Sequence, residues 1–186
     1  LPPSAALSTP VKPGFIEVKE FFSYGCPWCF KLEADVAKWQ KKLPKHAIFS
    51  RVPVIFEPGW DIYAKAYYAA NLLGLSSPIS AALFDAIQVK EQKLDNNEAM
   101  IKFFIKMGVK EKMARSAFLS SPTINAKVRD GLAQMQLLQV NSVPCFIINN
   151  HYKVDIAMLD GDAHKLFIVV SFLVAKELAE TMHKIS

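Results

Sequence analysis

The chain has 186 residues, 52% of them apolar, with three cysteines and a formal charge of +5 from 22 Lys and Arg against 17 Asp and Glu. That length and apolar share suit one compact domain, or one domain with a sizeable insertion, able to bury a core without covalent staples; a small cysteine-dense scaffold is excluded. The lysines are spread along the chain with only short clusters such as Lys41-Lys42 and Lys110 to Lys112, so the charge reads as a solvated surface and no nucleic-acid partner is expected.

The N-terminal Pro/Ser segment through Pro13-Gly14 reads as extended or frayed. Leu1 to Ala6 has neither the basic start nor the apolar core of a cleavable signal, which reads as a chain that is either cytosolic or already processed. Phe15 to Phe22 then has strand composition, and Ile16, Val18, Glu20 and Phe22 share one parity, hence one sheet face. Glu20 is placed among apolar neighbours by this pattern, and a carboxylate there is costly to ionise unless paired. It is either a rim residue or a group that assists or opposes proton traffic at Cys26.

Cys26-Pro27-Trp28-Cys29 follows, between the apolar run Phe21 to Gly25 and an amphipathic stretch from Phe30 to Leu43. The two thiols thus fall at a strand-to-helix junction, the setting in which this spacing signals redox chemistry. At a helix start the first sulfur lies near unpaired backbone N–H groups and the positive dipole end, which favour thiolate over thiol. Cys26 is therefore read as the exchanging sulfur, and Cys29, nearly one helical turn later, as the resolving one. Pro27 presets φ and has no N–H to leave unpaired at the first helical position. Tyr24 and Trp28 flank the sulfur and are candidates for a groove that takes an extended peptide.

Two structural alternatives are weaker. A zinc site needs four ligands, and beyond the pair there are only Cys145, His46, His151, His164 and His183, all scattered. A purely structural disulfide at this spacing would close a very short loop and stabilise little. No metal and no cofactor is expected.

Leu32, Val36, Trp39 and Leu43 recur on one helix face, which makes Trp39 a core residue, and Pro44 stops the run. Ala47 to Phe56 supplies a second strand, bounded by Pro58-Gly59. From Trp60 to Gln139 the pattern is helical: Asp61 to Leu73 ends at Gly74, Ser77-Pro78 opens another, Asn97 to Met107 ends at Gly108, and Ser121-Pro122 opens a long helix through Leu138 that contains Gly131. Strands return at Val143 to Ile148 and Tyr152 to Ile156, joined by Asn149-Asn150 as a hairpin. Cys145 reads as a small buried hydrophobe, with a modulating role near the site as the alternative. After Asp160-Gly161-Asp162 the apolar run Leu166 to Ala175 is about half the ~20 residues needed to span a bilayer and reads as a buried helix. The order predicts an α/β protein: a thioredoxin fold with an inserted all-helical domain, the thioredoxin-like part being residues 1–57 and 140–186 and the insert residues 58–139.

Glu20-Phe21-Phe22-Ser23-Tyr24-Gly25-Cys26-Pro27-Trp28-Cys29, followed much later by Val143-Pro144, resembles the bacterial DsbA family of periplasmic thiol oxidases. The resemblance implies an exposed nucleophile at Cys26, a resolving thiol at Cys29, a buried acidic residue at Glu20 below the disulfide, and a cis peptide at Val143-Pro144 packed against it; a trans proline on an edge strand is the plain alternative. It also implies folding cysteine-containing proteins as clients, a quinone-linked membrane reoxidant of the DsbB kind and a periplasmic location; separately from the resemblance, a monomer is expected. The sequence departs from the family's usual pattern twice. Trp28 stands where histidine is frequent, which removes a positive charge beside Cys26. The lysine that often partners the glutamate has no match in Ala47 to Val52, where Arg51 is the nearest cation.

The expected activity is transfer of the Cys26-Cys29 disulfide to a client through a mixed disulfide at Cys26. The rivals are a disulfide isomerase or reductase, which in the DsbC type would bring a dimerisation segment, a cytosolic FrnE-like oxidoreductase, and a noncatalytic peptide-binding chaperone whose binding would survive loss of both thiols.

Overall fold

The computed structural model describes residues 13–183; the readings of the segment before Pro13 fall outside the described residues. The chain divides into two compact units, one drawn from Leu1–Phe22, Lys31–Val52 and Gln134–Ser186 so far as these are described, the other from Ser23–Phe30 and Pro53–Ala133.

The first unit is built on a sheet. β1 (Ile16–Phe22), β2 (Ala47–Pro53), β3 (Cys145–Ile148) and β4 (Tyr152–Asp155) lie in the order β2-β1-β3-β4. β3 runs antiparallel to both β1 and β4, with Glu20 opposite Phe146 and Phe146 opposite Val154. Because strand side chains alternate, one face collects Ile16 and Val18 of β1, Phe146 and Ile148 of β3 and Val154 of β4. Leu32, Val36 and Trp39 of α1 (Pro27–Gln40) and Leu166, Val170 and Val174 of α7 (Ala163–His183) complete this core. Burying each such aliphatic or aromatic side chain contributes about 1.5–3 kcal/mol. Glu20 shares this face, as its parity predicts, and is fully buried. Trp39 is a core residue, its ring edge-on to Phe49 and Phe146. α1 ends at Gln40, short of Pro44, and Leu43 packs against the core from beyond the helix.

α7 corrects one expectation. Its apolar run is not buried all round: Leu166, Val170 and Val174 face the core, while Ile168 and Phe172 are more than half exposed. Polar contacts through Ser171 and Glu177 fix the helix's rotation. Trp39 Nε1 donates to Ser171 Oγ at 3.0 Å, and the buried Glu177 carboxylate accepts from Asn149 Nδ2 at 2.6 Å and meets His151 Nδ1 at 2.9 Å.

The second unit is helical: α2 (Trp60–Leu72), α3 (Ser76–Phe84), α4 (Asn97–Lys106), α5 (Glu111–Leu119) and most of α6 (Pro122–Leu137). Gly74 and Gly108 adopt positive φ at the ends of α2 and α4, the helix stops the sequence marks. The Asn96 side chain caps α4 by accepting from the Ala99 N–H. Phe104 and Phe118 meet edge-on at 5.0 Å, joining α4 to α5. Two elements are absent from the sequence reading. One is α5, which buries only Ala114 and Phe118 of its residues. The other is a π-helical turn, Asp85–Val89, that continues α3.

Candidate active site

Residues 23–30 build the redox motif within the helical unit. Cys26 is the N-cap of α1: its carbonyl accepts from the Phe30 N–H at 3.1 Å, and its Sγ accepts from the Cys29 N–H at 3.1 Å. Sulfur thus stands where Ser or Asp oxygen usually caps a helix, at the end whose partial charge favours an anion. Pro27 opens the helix, as predicted. The approach is fixed by Cys26 N–H to Ser23 O and Gly25 N–H to Ser23 Oγ, both 3.1 Å. Cys145 is a free thiol. Cys26 keeps 4% of its surface and Cys29 none, so the expected exposed nucleophile is corrected to a nearly covered one. The surface beside it is apolar instead: Trp28 is 43% and Phe30 36% exposed.

Tyr24 does not fit its expected place in a surface groove. It is buried: its hydroxyl donates to Ser80 Oγ at 3.2 Å, its ring meets Phe84 edge-on at 4.9 Å, and its carbonyl accepts from Gln88 Nε2 at 2.7 Å. Gly25 is hemmed in as well, since a Cβ there would stand 2.3 Å from Trp60 Nε1. Ser80, Phe84, Gln88 and Trp60 escaped the sequence reading; the only signal was one amide, Gln88, in the apolar stretch Ala86-Ile87-Gln88-Val89.

The sheet unit holds the charged candidates. Arg51 of β2 donates from Nε to Glu20 Oε2 at 2.6 Å and grips Glu33 of α1 with Nη1 at 3.1 Å and Nη2 at 2.6 Å. Its guanidinium lies over the Phe22 ring, 4.6 Å from the centroid. Arg51, the nearest cation in the Ala47 to Val52 stretch, is therefore the partner of Glu20. Burial pushes the Glu20 carboxyl above the ordinary carboxylate range, and Arg51, by charge and hydrogen bond, only partly opposes it. Burial also works against the Arg51 charge, but Glu20 and Glu33 outweigh it and hold the guanidinium more firmly protonated than usual. Glu20 Oε1 is buried with no hydrogen-bond partner among the described residues.

Val143-Pro144 is a cis peptide immediately before β3. Cys145 begins β3 between Phe21 and Asp155 in register and is buried. Its thiol is pushed up to about 12, first by burial and then by the Asp155 charge, with Lys153 opposing. Each unit thus assembles its own set: Tyr24, Cys26, Pro27, Trp28 and Cys29 in the helical unit, Glu20, Val143 and Pro144 in the sheet unit. Among the described residues, no group of three or more His, Cys, Asp or Glu is placed to hold a metal ion, and no helix is long and apolar enough to cross a membrane.

Comparison with known proteins agrees with this architecture. The family described as DSBA-like thioredoxin domain matches residues 41–167, a stretch that starts after Cys26 and Cys29. Relatives aligned over more of the chain are the thiol:disulfide interchange protein DsbA of Pseudomonas aeruginosa, 31% identical over 93% of this chain and 82% of the relative, and that of Azotobacter vinelandii, 30% identical over 89% and 77%. The crystal structure of Pseudomonas aeruginosa DsbA superposes with a TM-score of 0.85 at 29% identity, covering 92% of this chain and 88% of that one. The oxidoreductase DsbA from Xylella fastidiosa gives 0.80 at 27%, covering 89% and 88%. A thioredoxin-like fold with a helical insertion, a two-cysteine helix start and this likeness across most of the chain lead to one conclusion: the chain belongs to the DSBA-like thioredoxin domain family.

Proposed function

We propose that this thiol:disulfide oxidoreductase donates a Cys26-Cys29 disulfide to folding proteins that carry cysteine pairs. In the oxidised form a client thiolate attacks Cys26 Sγ, the Cys26-Cys29 bond breaks, and Cys29 leaves as a thiolate that takes up a proton. The client's second thiolate then attacks the client sulfur of the mixed disulfide and expels Cys26. The client ends with a disulfide and the protein with two thiols, so electrons and atoms balance.

The observation that carries this reading is the N-cap role of Cys26, whose sulfur accepts the Cys29 N–H at 3.1 Å. That bond favours the thiolate, which makes Cys26 a good leaving group. Pro27 and the exposed Trp28 support the site, Trp28 and Phe30 offering apolar surface to an extended client. Glu20 is assigned as the buried acidic partner and Val143-Pro144 as the supporting cis turn. The domain boundary is proposed at residues 58–139 for the helical insert. Family membership supports a monomer acting in the periplasm, reoxidised by a quinone-linked membrane protein of the DsbB kind.

The test is the equilibrium of the Cys26/Cys29 pair against graded glutathione buffers, followed by Trp28 fluorescence. A potential well above that of the glutathione pool is expected; a thioredoxin-like reducing value would sink the oxidase reading and favour a reductase.

A further inference from the structure

The loop Ser23-Tyr24-Gly25, which delivers Cys26 to the start of α1, is held by neutral groups of the helical unit. Gln88 Nε2 donates to the Tyr24 carbonyl at 2.7 Å, the Tyr24 hydroxyl reaches Ser80 Oγ at 3.2 Å, and Phe84 meets the Tyr24 ring. Gln88 owes its aim to the π turn Asp85–Val89, in which the Lys90 N–H reaches back to Asp85 O at 3.0 Å. A π turn closes i→i+5 hydrogen bonds in place of i→i+4, so side chains within it, Gln88 among them, take directions that a regular α-helix would not give them. Such turns are rare and recur at functional sites. Here the turn directs an amide at a backbone carbonyl two residues before the first cysteine.

We infer that Gln88 is a positioning residue of the redox site: by fixing the Tyr24 carbonyl it fixes the Ser23–Gly25 loop and with it the alignment of Cys26 Sγ on the Cys29 N–H. The inference rests on the reading of Cys26 as the exchanging thiol. The physical link is short. Cys26 N–H donates to Ser23 O and Gly25 N–H to Ser23 Oγ, so any shift of Tyr24 passes directly into the cap. A hydrogen bond to sulfur at 3.1 Å depends on that alignment, because hydrogen bonds weaken steeply as donor angles close.

Gln88→Met tests this, since it keeps the bulk and removes the donor; Gln88→Glu sets an acceptor against the carbonyl. In the full chain, the readouts are the pH profile of first-cysteine alkylation and the glutathione equilibrium, with circular dichroism as the control for folding. Gln88→Met should move the glutathione equilibrium by about threefold toward the less oxidising side and shift the alkylation profile to higher pH, a change of half a pKa unit. Gln88→Glu should do so further, and Ser80→Ala in the same direction but less. Ser80→Ala carries the test if both Gln88 variants fail to fold. Variants that fold and keep the wild-type profile and equilibrium overturn the inference alone. A wild-type chain that exchanges no disulfide overturns the functional reading and this inference with it.

Discussion

Cys26 and Cys145 are both buried thiols, 4% and 1% exposed, yet the two regions that hold them treat sulfur in opposite ways. At the helix start, Cys26 accepts a backbone N–H. In the sheet, Cys145 has an acidic neighbour across the strand pair and is held protonated up to about 12. Burial is the larger cause of the Cys145 shift and the Asp155 charge adds to it, whereas at Cys26 the helix N-terminus and the Cys29 N–H act in the opposite sense.

The hardest blow to this comparison would come from exchanging the roles of the two sulfurs. Cys26→Ser should abolish disulfide exchange with glutathione, Cys29→Ser should accumulate mixed disulfides visible by mass spectrometry, and Cys145→Ser should leave exchange unchanged. Full activity in Cys26→Ser would end it.

Arg51→Met asks whether the sheet unit can tolerate an uncompensated charge. It leaves Glu20 buried without its cation and should destabilise by about 3–5 kcal/mol in chemical denaturation. Gly25→Ala probes the other region, where the new Cβ meets the Trp60 indole at 2.3 Å. Overpacking of this kind should cost about 1–3 kcal/mol and shift the alkylation profile of Cys26 through the same loop.

The smallest effect is alkaline. The folded Cys145 pKa is raised to about 12 from an ordinary value of 9.0, so between these values the native state holds a proton that the unfolded chain has lost. Stability therefore falls as pH rises through this window, by about 1.4 kcal/mol at pH 10. A Cys145→Ala variant should show a flatter decline in thermal melts above pH 9.

Most of the fold was legible because its signals are local: strand parity in Ile16 to Phe22, glycine stops at Gly74 and Gly108, and the junction that places Cys26 at a helix start. Periodicity placed Trp39 on the core face of its helix and Glu20 among apolar neighbours on one sheet face, and both are buried. What sequence could not supply depends on long-range partners. Arg51 and Glu20 are separated by 31 residues, and only the sheet brings them together. Tyr24 misled because proximity to a cysteine in sequence says nothing about side-chain direction; its partners lie on α3 and the π turn. That turn has no composition of its own, so Gln88 could not be aimed from the sequence.

α7 carries a consequence of a different kind. With Leu166, Val170 and Val174 inward and Ile168 and Phe172 outward, both its sides are greasy, so hydrophobicity discriminates weakly between the native orientation and one turned about the helix axis. The discrimination falls to Trp39 on Ser171 and to Asn149 and His151 on Glu177, contacts that only one orientation can make. These few polar atoms act as an index key, specifying which of two similar cores forms.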